Sequence, residues 1–330
     1  MIRLTIAIST FNRCNYLEEC LNSILPQVTK DVNIVVSDND STDETPQIMQ
    51  KYCVYPFVRY YRKETNTGMD GNFLNCLNIS DGEYIHLMSD DDIMLSGTVN
   101  AIIECITNDK PDLIHLNSCG FNGIFNGIES CSNARFVMKN NFVTKDKNVY
   151  LSKVGIYLTY LSSLVLKNEL VKQIVNPEQF LGTFFLQSHV ALLTSKGDKT
   201  LAILKHNSIA ARSNNTGGYN LFKIWIEEYK KLLFDTSLKS GYAKKSIEDL
   251  YVNSVKSELK GLILRSRIQK TELGLENRSI IFRNTYMFAS AWIYLYPVTY
   301  FPVSILKLIL KIRKCTYLTF LKSWVVGSEK

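Results

Sequence analysis

The chain has no pair of cysteines at metal-ligand spacing, no low-complexity tract and no repeat of fixed period. Each absence removes a class. The eight cysteines, at positions 14, 20, 53, 76, 105, 119, 131 and 315, are scattered, with no C-x-x-C pair and no Cys/His spacing. A zinc site is therefore not expected, and reduced cytosolic thiols are the simpler reading. Without a fixed period the chain is not a solenoid or propeller. The opening "MIRLTIAIST" is too short an apolar run, and too soon polar, for a signal peptide, so a cytoplasmic site of action is expected. No recognition-helix, finger or RNP-like motif is present, so nucleic acid is not the expected partner of the positive charge.

What is present is a folded-protein composition. The 330 residues are 46% hydrophobic, 21% charged and 11% aromatic, enough for one large α/β domain with an accessory part. The net charge of +7 hides an asymmetry: residues 1–120 carry 8 Lys/Arg and 17 Asp/Glu, a net of −9, and the remainder a net of +16. An acidic half suits a metal site; a basic half suits phosphates or an anionic membrane surface.

The first 120 residues alternate strand and helix signals. Short β-rich runs predict strands at 4–10, 32–38, 58–64, 83–89 and 112–118. Between them, apolar periodicity predicts helices at 15–27, ended by Pro26, then after an N-cap at Ser41 or Thr42, then at 70–79 and at about 96–108. Such alternation gives a doubly wound, mostly parallel sheet, and ligands bind outside the carboxyl ends of its strands. The polar clusters at 9–13, 37–43, 64–72 and 89–92 all follow strands, so they are expected to converge on one crevice. Residues 119–150 read as an insertion or linker. From about 220 the pattern is helical and basic.

"HLMSDDDIML" (86–95) sets Asp90, Asp91 and Asp92 in a row after an apolar strand. Adjacent carboxylates repel, and a half-buried cluster is costly unless something neutralises it. A solvated turn with one aspartate as an N-cap is the bland alternative; three together favour a ligand. Carboxylates at this density suit Mn²⁺ or Mg²⁺, which are commonly shared with a substrate's phosphates. A diphosphate-bearing substrate would complete such a site.

Four stretches, "IAISTFNRCNYLEECLNSI", "VVSDNDSTDET", "NTGMDGNFLNCL" and "GEYIHLMSDDD", follow one another in the order and spacing of the family 2 glycosyltransferases of GT-A fold. The resemblance covers residues 1–120 well and reaches more weakly to about 215. "YLTYLSSLVLK" and "FLGTFFLQSHV" resemble the O-antigen, abequosyltransferase-like branch. The resemblance implies a GT-A domain over 1–215, with a nucleotide-sugar half (1–120) and an acceptor half (121–215), followed by a helical region at 216–330. It also implies that Thr10, Phe11, Asn12 and Arg13 line the nucleotide pocket and that Asp38 bonds the nucleobase. Asn66, Gly68, Asp70 and Asn72 would lie beneath the ribose and donor sugar, a structural turn being as good a reason for Gly68. The aspartate triplet matches the metal motif with one departure: many relatives read D-x-D-D, whose first aspartate falls on Met88. Asp91 is the first choice of ligand, Asp90 serves ribose or metal, and Asp92 completes the set.

The acidic pair that opens the acceptor-side helix in the family is missing in plain form. Its place falls in "LQSHVALL" (186–193), where His189 is the one good proton acceptor, with Asp198 in reserve. A structural histidine is an equal alternative. "HNSIAARSNNTGGY" (206–219) is read as a flexible loop that closes over the donor and sets Arg212 on the leaving diphosphate, or as an ordinary surface loop. The expected activity is metal-dependent, inverting sugar transfer from a nucleotide-diphosphate sugar to a lipid-linked glycan, as in O-antigen or capsule assembly. A nucleotidyltransferase is a rival, but "STFNRCN" lacks its glycine-rich loop; a non-catalytic nucleotide-sugar-binding protein is another.

Residues 284–306 contain no charged side chain and are rich in tyrosine. Pro297 and Pro302, and the belt Tyr286, Trp292, Tyr294, Tyr296, Tyr300 and Tyr317, argue for docking on a membrane without spanning it. Lys307, Lys311, Arg313, Lys314 and Lys322 suit anionic lipid. A buried helical pair or a homo-oligomer interface is the alternative.

Overall fold

The computed structural model describes residues 2–132, 134–213, 223–269 and 289–311. Two compact units emerge, Met1–Gly217 with Lys231–Leu250, and Gly218–Lys230 with Tyr251–Lys330.

The first unit is built on a mixed nine-stranded sheet: β1 (Leu4–Thr10), β2 (Val32–Asp38), β3 (Val58–Arg62), β4 (Tyr84–Ser89), β5 (Ile93–Met94), β6 (Leu113–Phe121), β7 (Phe142–Thr144), β8 (Leu164–Lys167) and β9 (Leu201–Arg212). Their order is β3-β2-β1-β4-β8-β6-β9-β5, with β7 also on β9. Strands β3, β2, β1 and β4 are mutually parallel, as are β6 and β9. The antiparallel β8 is inserted between β4 and β6. The expected α/β sheet is thus present, mostly parallel, with the parallel β3 at one edge and the short antiparallel β5 and β7 beside β9 at the other end.

Helices α1 (Cys14–Ile24), α2 (Thr45–Tyr52), α3 (Gly68–Asn78) and α4 (Thr98–Asn108) alternate with these strands. Side chains alternate across a strand. Leu4, Ile6 and Ile8 therefore join Val32, Ile34 and Val36 in one cluster with Leu17, Leu21, Met49 and Ile102 of α1, α2 and α4. All seven residues of β1 and of β2 are buried, because α3 covers the opposite face. Buried on both faces, the strands read as apolar runs interrupted only by Thr5 and Asn33 before their polar carboxyl ends.

Three local expectations shift. The first helix stops at Ile24, and Pro26 sits inside a following 3₁₀ turn, Leu25–Gln27, where its missing N–H costs nothing. The second helix starts at Thr45 rather than at Ser41 or Thr42. Asp43 accepts from both Thr45 N (3.0 Å) and Thr45 Oγ1 (2.6 Å) just ahead of it. Within residues 119–150, β6 runs on to Phe121, and β7 and a helix α5 (Lys147–Val154), N-capped by Asp146, occupy the end of the stretch. Two further helices, α6 (Asn168–Val171) and α7 (Leu186–Thr194), flank β8.

The second unit is helical over its described residues, with a helix at Lys260–Gln269 and another at Ala289–Tyr300 that contains Pro297. Among the described residues no single helix is long and apolar enough to cross a membrane.

Candidate active site

The carboxyl ends of the parallel strands set the site. Thr10 ends β1, and Asp38 ends β2 directly beside it in the sheet register. The aspartate triplet is the turn that leaves β4 and enters β5. Because β1 pairs with both β2 and β4, Thr10 stands between the two acidic positions. Phe121 and Arg212 end β6 and β9 as register partners.

The triplet is buried. Asp90 accepts from Thr10 Oγ1 (2.7 Å) and from Arg13 Nη1 (3.2 Å), and Arg13 Nη1 also lies 3.7 Å from Asp91 Oδ2. Asp91 accepts from Ser89 Oγ. Asp92 is committed to three donors: Tyr160 OH (2.7 Å), Ser162 Oγ (2.5 Å) and Arg212 N (3.1 Å). Burial pushes the Asp90 carboxyl up to about 7, with Arg13 pulling it down and the Asp91 charge adding to the rise. Burial, and then the same Asp91 charge, push Asp92 up to about 7 as well. A carboxylate is disfavoured wherever desolvation and like charge outweigh its donors. The turn is thus an anionic concentration that one arginine incompletely offsets.

Around it the loops are laced together. Asn12, held at a left-handed φ of 53°, donates its N–H to Ser41 Oγ (2.9 Å) and accepts from Thr42 N (2.7 Å), joining the loops after β1 and β2. Phe11 is exposed beside it. Asp38 is fully buried and accepts from Ser41 N (2.9 Å) and Tyr60 OH (2.5 Å). Asn72 accepts from Ser37 Oγ (2.5 Å) and donates to Thr10 O (3.1 Å) and Ser37 O (3.0 Å), clamping β1 to β2. Asn66 accepts from Asn39 Nδ2 (2.7 Å) and Gly68 N (2.8 Å). Gly68 has a φ of +75° and open space where a Cβ would stand, so backbone conformation and not crowding selects glycine there.

Asp70 crosses to another element. It accepts from Phe184 N (2.8 Å) and Leu186 N (3.3 Å) at the entry of α7, and burial raises its pKa. His189, on α7, is buried, stacked on Phe180 at 4.2 Å and bonded through Nδ1 to Thr236 Oγ1 (2.8 Å). Its Nε2 has no hydrogen-bond partner, and burial pushes its pKa down to about 4, below the near-neutral value expected of a base.

Two sequence expectations are corrected. Residues 206–212 belong to β9 and are not a loop, while 214–219 lie outside the described residues. Arg212 is fixed there: Nε donates to Asp91 O (3.1 Å), Nη1 to Gly123 O (2.5 Å) and Nη2 to Glu19, with the guanidinium over the Tyr16 and Phe121 rings. Asp198 does not join the cluster. It precedes β9, at the opposite end of that strand from Arg212, is largely exposed and pairs with Lys145 at 3.3 Å. Residues that sequence reasoning passed over are Ser89, Tyr160, Ser162 and Glu19, which position the turn. No local pattern marks Tyr160, Ser162 or Glu19, since each acts across a long loop closure, whereas Ser89 lies two residues before Asp91.

Residues 5–160 match the family model "Glycosyl transferase family 2". Over 207 residues the chain is 30% identical to abequosyltransferase RfbV of Salmonella typhimurium, covering 58% of this chain and 60% of that protein. Over 106 residues it is 33% identical to the GalNAc(5)-diNAcBac-PP-undecaprenol beta-1,3-glucosyltransferase of Campylobacter jejuni, 32% of this chain and 34% of that one. The chain thus spans less than two thirds of the length of either relative. In structure it is similar to Staphylococcus aureus TarS 1–349 in complex with UDP-GlcNAc, with a TM-score of 0.64, 16% identity and 90% of each chain covered. It is also similar to the mannosyltransferase PcManGT of Pyrobaculum calidifontis in complex with GDP-Man and Mn²⁺, with a TM-score of 0.51, 14% identity, and 98% and 83% covered. A GT-A fold, four motifs in register and the family match together make residues 5–160 a family 2 glycosyltransferase domain.

Proposed function

We propose that the protein transfers a sugar, with inversion, from a nucleotide-diphosphate sugar to a hydroxyl of a lipid-linked glycan in bacterial surface polysaccharide assembly. The carrying observation is the meeting of Thr10, Arg13, Asp38 and Asp90–Asp92 at the carboxyl ends of β1, β2 and β4. Solved neighbours hold UDP-GlcNAc or GDP-Man, and the Campylobacter relative is named for an undecaprenyl-diphosphate acceptor, which supports donor and acceptor class. Residues 1–120 would take the donor and 121–215 the acceptor.

The donor set fits a hard divalent cation. It is all oxygen, desolvation and mutual repulsion have driven two of its carboxyls up to about 7, and no group of three or more ligating side chains among the described residues closes a cage. Such a site suits Mn²⁺ or Mg²⁺ shared with substrate phosphates. Asp91 with Asp90 would hold the ion, which would offset charge growing on the departing nucleotide diphosphate. Asp92 and Arg212 brace the turn that presents them. The partnerless Nε2 of His189 is the proposed proton acceptor. It takes the acceptor hydroxyl's proton as that oxygen bonds to the anomeric carbon and the bond to the nucleotide diphosphate breaks on the opposite face.

The test is a thermal-shift screen of nucleotide sugars with and without Mn²⁺, followed by assay of donor hydrolysis. Stabilisation by one donor that requires the metal, together with metal-dependent hydrolysis, is expected. Metal-dependent binding without any turnover would favour a non-catalytic nucleotide-sugar-binding protein.

A further inference from the structure

We infer that the helical pair Ile293–Tyr300 and Val303–Lys311 is a bent, non-spanning element that docks the chain on an anionic bilayer leaflet. The inference supplies a place for the lipid-linked acceptor proposed above, but rests on separate observations. The two helices meet at an angle of 115° around Phe301 and Pro302. Proline lacks the amide a continuous helix would need, and the chain restarts from Pro302 O, which accepts from Ile305 N (3.0 Å) and Leu306 N (3.1 Å). The helix that holds the first arm, Ala289–Tyr300, is 12 residues, about 18 Å at 1.5 Å per residue, and the second arm is nine, about 13 Å, against a hydrocarbon core of about 30 Å. Over the described residues neither is long enough to cross.

Both arms expose large apolar side chains that a soluble surface would not group. Ile293 is 68% exposed, Leu308 57%, Ile309 47% and Ile305 44%, with Tyr294 and Tyr296 also exposed. Single exposed aliphatics are ordinary; a contiguous set is not. At 100° per residue the second arm divides into three sectors. Leu306 is buried, at 4% exposure, and marks the side turned to the protein. Ile305, Leu308 and Ile309, at i, i+3 and i+4, form an apolar stripe. Lys307 and Lys311, at i and i+4, flank that stripe on the side away from Leu306, and both are exposed. On the first arm, Leu295 and Val298 turn inward, and Val298 O accepts from the buried Arg267 (2.7 Å).

An apolar stripe with lysines along its edge and tyrosines on the neighbouring arm matches the layering of a bilayer surface: acyl chains, headgroup level, then anionic phosphates. Two features select lipid over a second copy of the chain. The 23 residues 284–306 hold no charged side chain, and the two cations lie beside the stripe, where a like-charged copy would repel them. The net charge of +16 over residues 121–330 adds long-range attraction to an acidic leaflet.

The experiment is co-sedimentation of the full chain with phosphatidylcholine vesicles, with and without phosphatidylglycerol, at low and high salt. Sedimentation velocity without lipid and donor hydrolysis are measured on the same samples. Binding only to the anionic vesicles, weakened by salt, is expected. Lys307→Gln with Lys311→Gln removes two charges, each worth a factor of about five near the surface, so binding weakens roughly 30-fold. Ile305→Glu with Leu308→Glu abolishes binding. Both pairs are exposed, so thermal midpoint and hydrolysis stay at wild-type values. Equal binding to neutral vesicles, or binding that survives the glutamate pair, overturns the inference. So does a dimer in solution that the glutamate pair dissociates, which would make the stripe a self-association face. Vesicle binding without hydrolysis would leave the inference standing while sinking the transferase reading; hydrolysis without vesicle binding does the reverse.

Discussion

Asp70→Asn is the most informative perturbation of the architecture behind the site. Asp70 lies on α3, yet both its oxygens serve the entry of α7, accepting from Phe184 N at 2.8 Å and Leu186 N at 3.3 Å. The chain there turns through two left-handed residues, Gly182 (φ 81°) and Phe184 (φ 63°). For a phenylalanine that conformation costs about 1–2 kcal/mol, which the buried carboxylate must offset. Hydrogen bonds to a charged group contribute about 1.5–3 kcal/mol each. Asparagine retains one acceptor and turns an N–H₂ toward the second amide, so it forfeits at least one bond. Loss of one such bond is worth about 2 kcal/mol. The three tryptophans, at 225, 292 and 324, fall outside the first compact unit, so unfolding is better followed by far-UV circular dichroism. Amide exchange at Phe184 and Leu186 reads the staple directly. Asp70→Asn should speed exchange there by roughly 30-fold, the equivalent of 2 kcal/mol. A variant within about 0.5 kcal/mol of wild type, with unchanged exchange at those two amides, would refute the staple.

Other consequences are as specific. Burial holds His86 down at about 4 and His115 at about 3, against 6.5 in the unfolded chain. Between those values the unfolded state binds more protons, so stability is complete above pH 6.5 and is lost as pH falls toward 4, by up to about 3 kcal/mol for His86. His86→Gln, which keeps a donor for Ser162 O (2.9 Å away), should flatten part of that slope in thermal melts. Gly82→Ala would place a Cβ 2.7 Å from Thr5 N and 3.0 Å from Leu4 C in the central strand, and should cost about 1–3 kcal/mol by the same melts. As the base, His189 should give an acid limb in turnover near pH 4 and not near neutrality. His189→Ala should then lose about 10²–10⁴-fold in kcat with donor affinity unchanged, and near-normal turnover would remove it from the mechanism.

Much of the first 120 residues was legible from local signals. The strand runs at 4–10 and 32–38 match β1 and β2 to the residue, because parallel strands buried on both faces leave an unmistakable apolar signature. The four polar clusters converge because each follows a strand of one sheet. What escaped was everything set by long closures. Tyr160 and Ser162 reach Asp92 across 68 and 70 residues, and Glu19 reaches Arg212 across 193. Arg212 read as a loop residue because asparagines and glycines follow it, whereas pairing with β6 carries β9 through to Arg212. Asp198 was a composition-level choice; strand direction sets it at the far end of β9. Part of the C-terminal reading, including Tyr286, Arg313, Lys314, Tyr317 and Lys322, lies outside the described residues.

The central claim is that the buried Asp90–Asp92 turn holds a divalent cation together with a donor's diphosphate. The most direct measurement is Mn²⁺-dependent hydrolysis of the nucleotide sugar selected by thermal shift, compared between the wild type and Asp91→Asn, with the folded state of each checked by its melt. The account predicts a saturable requirement for the metal, silence in EDTA, and loss of turnover in Asp91→Asn with an unchanged melt. Full turnover in EDTA, or an Asp91→Asn protein as active as wild type, would contradict it.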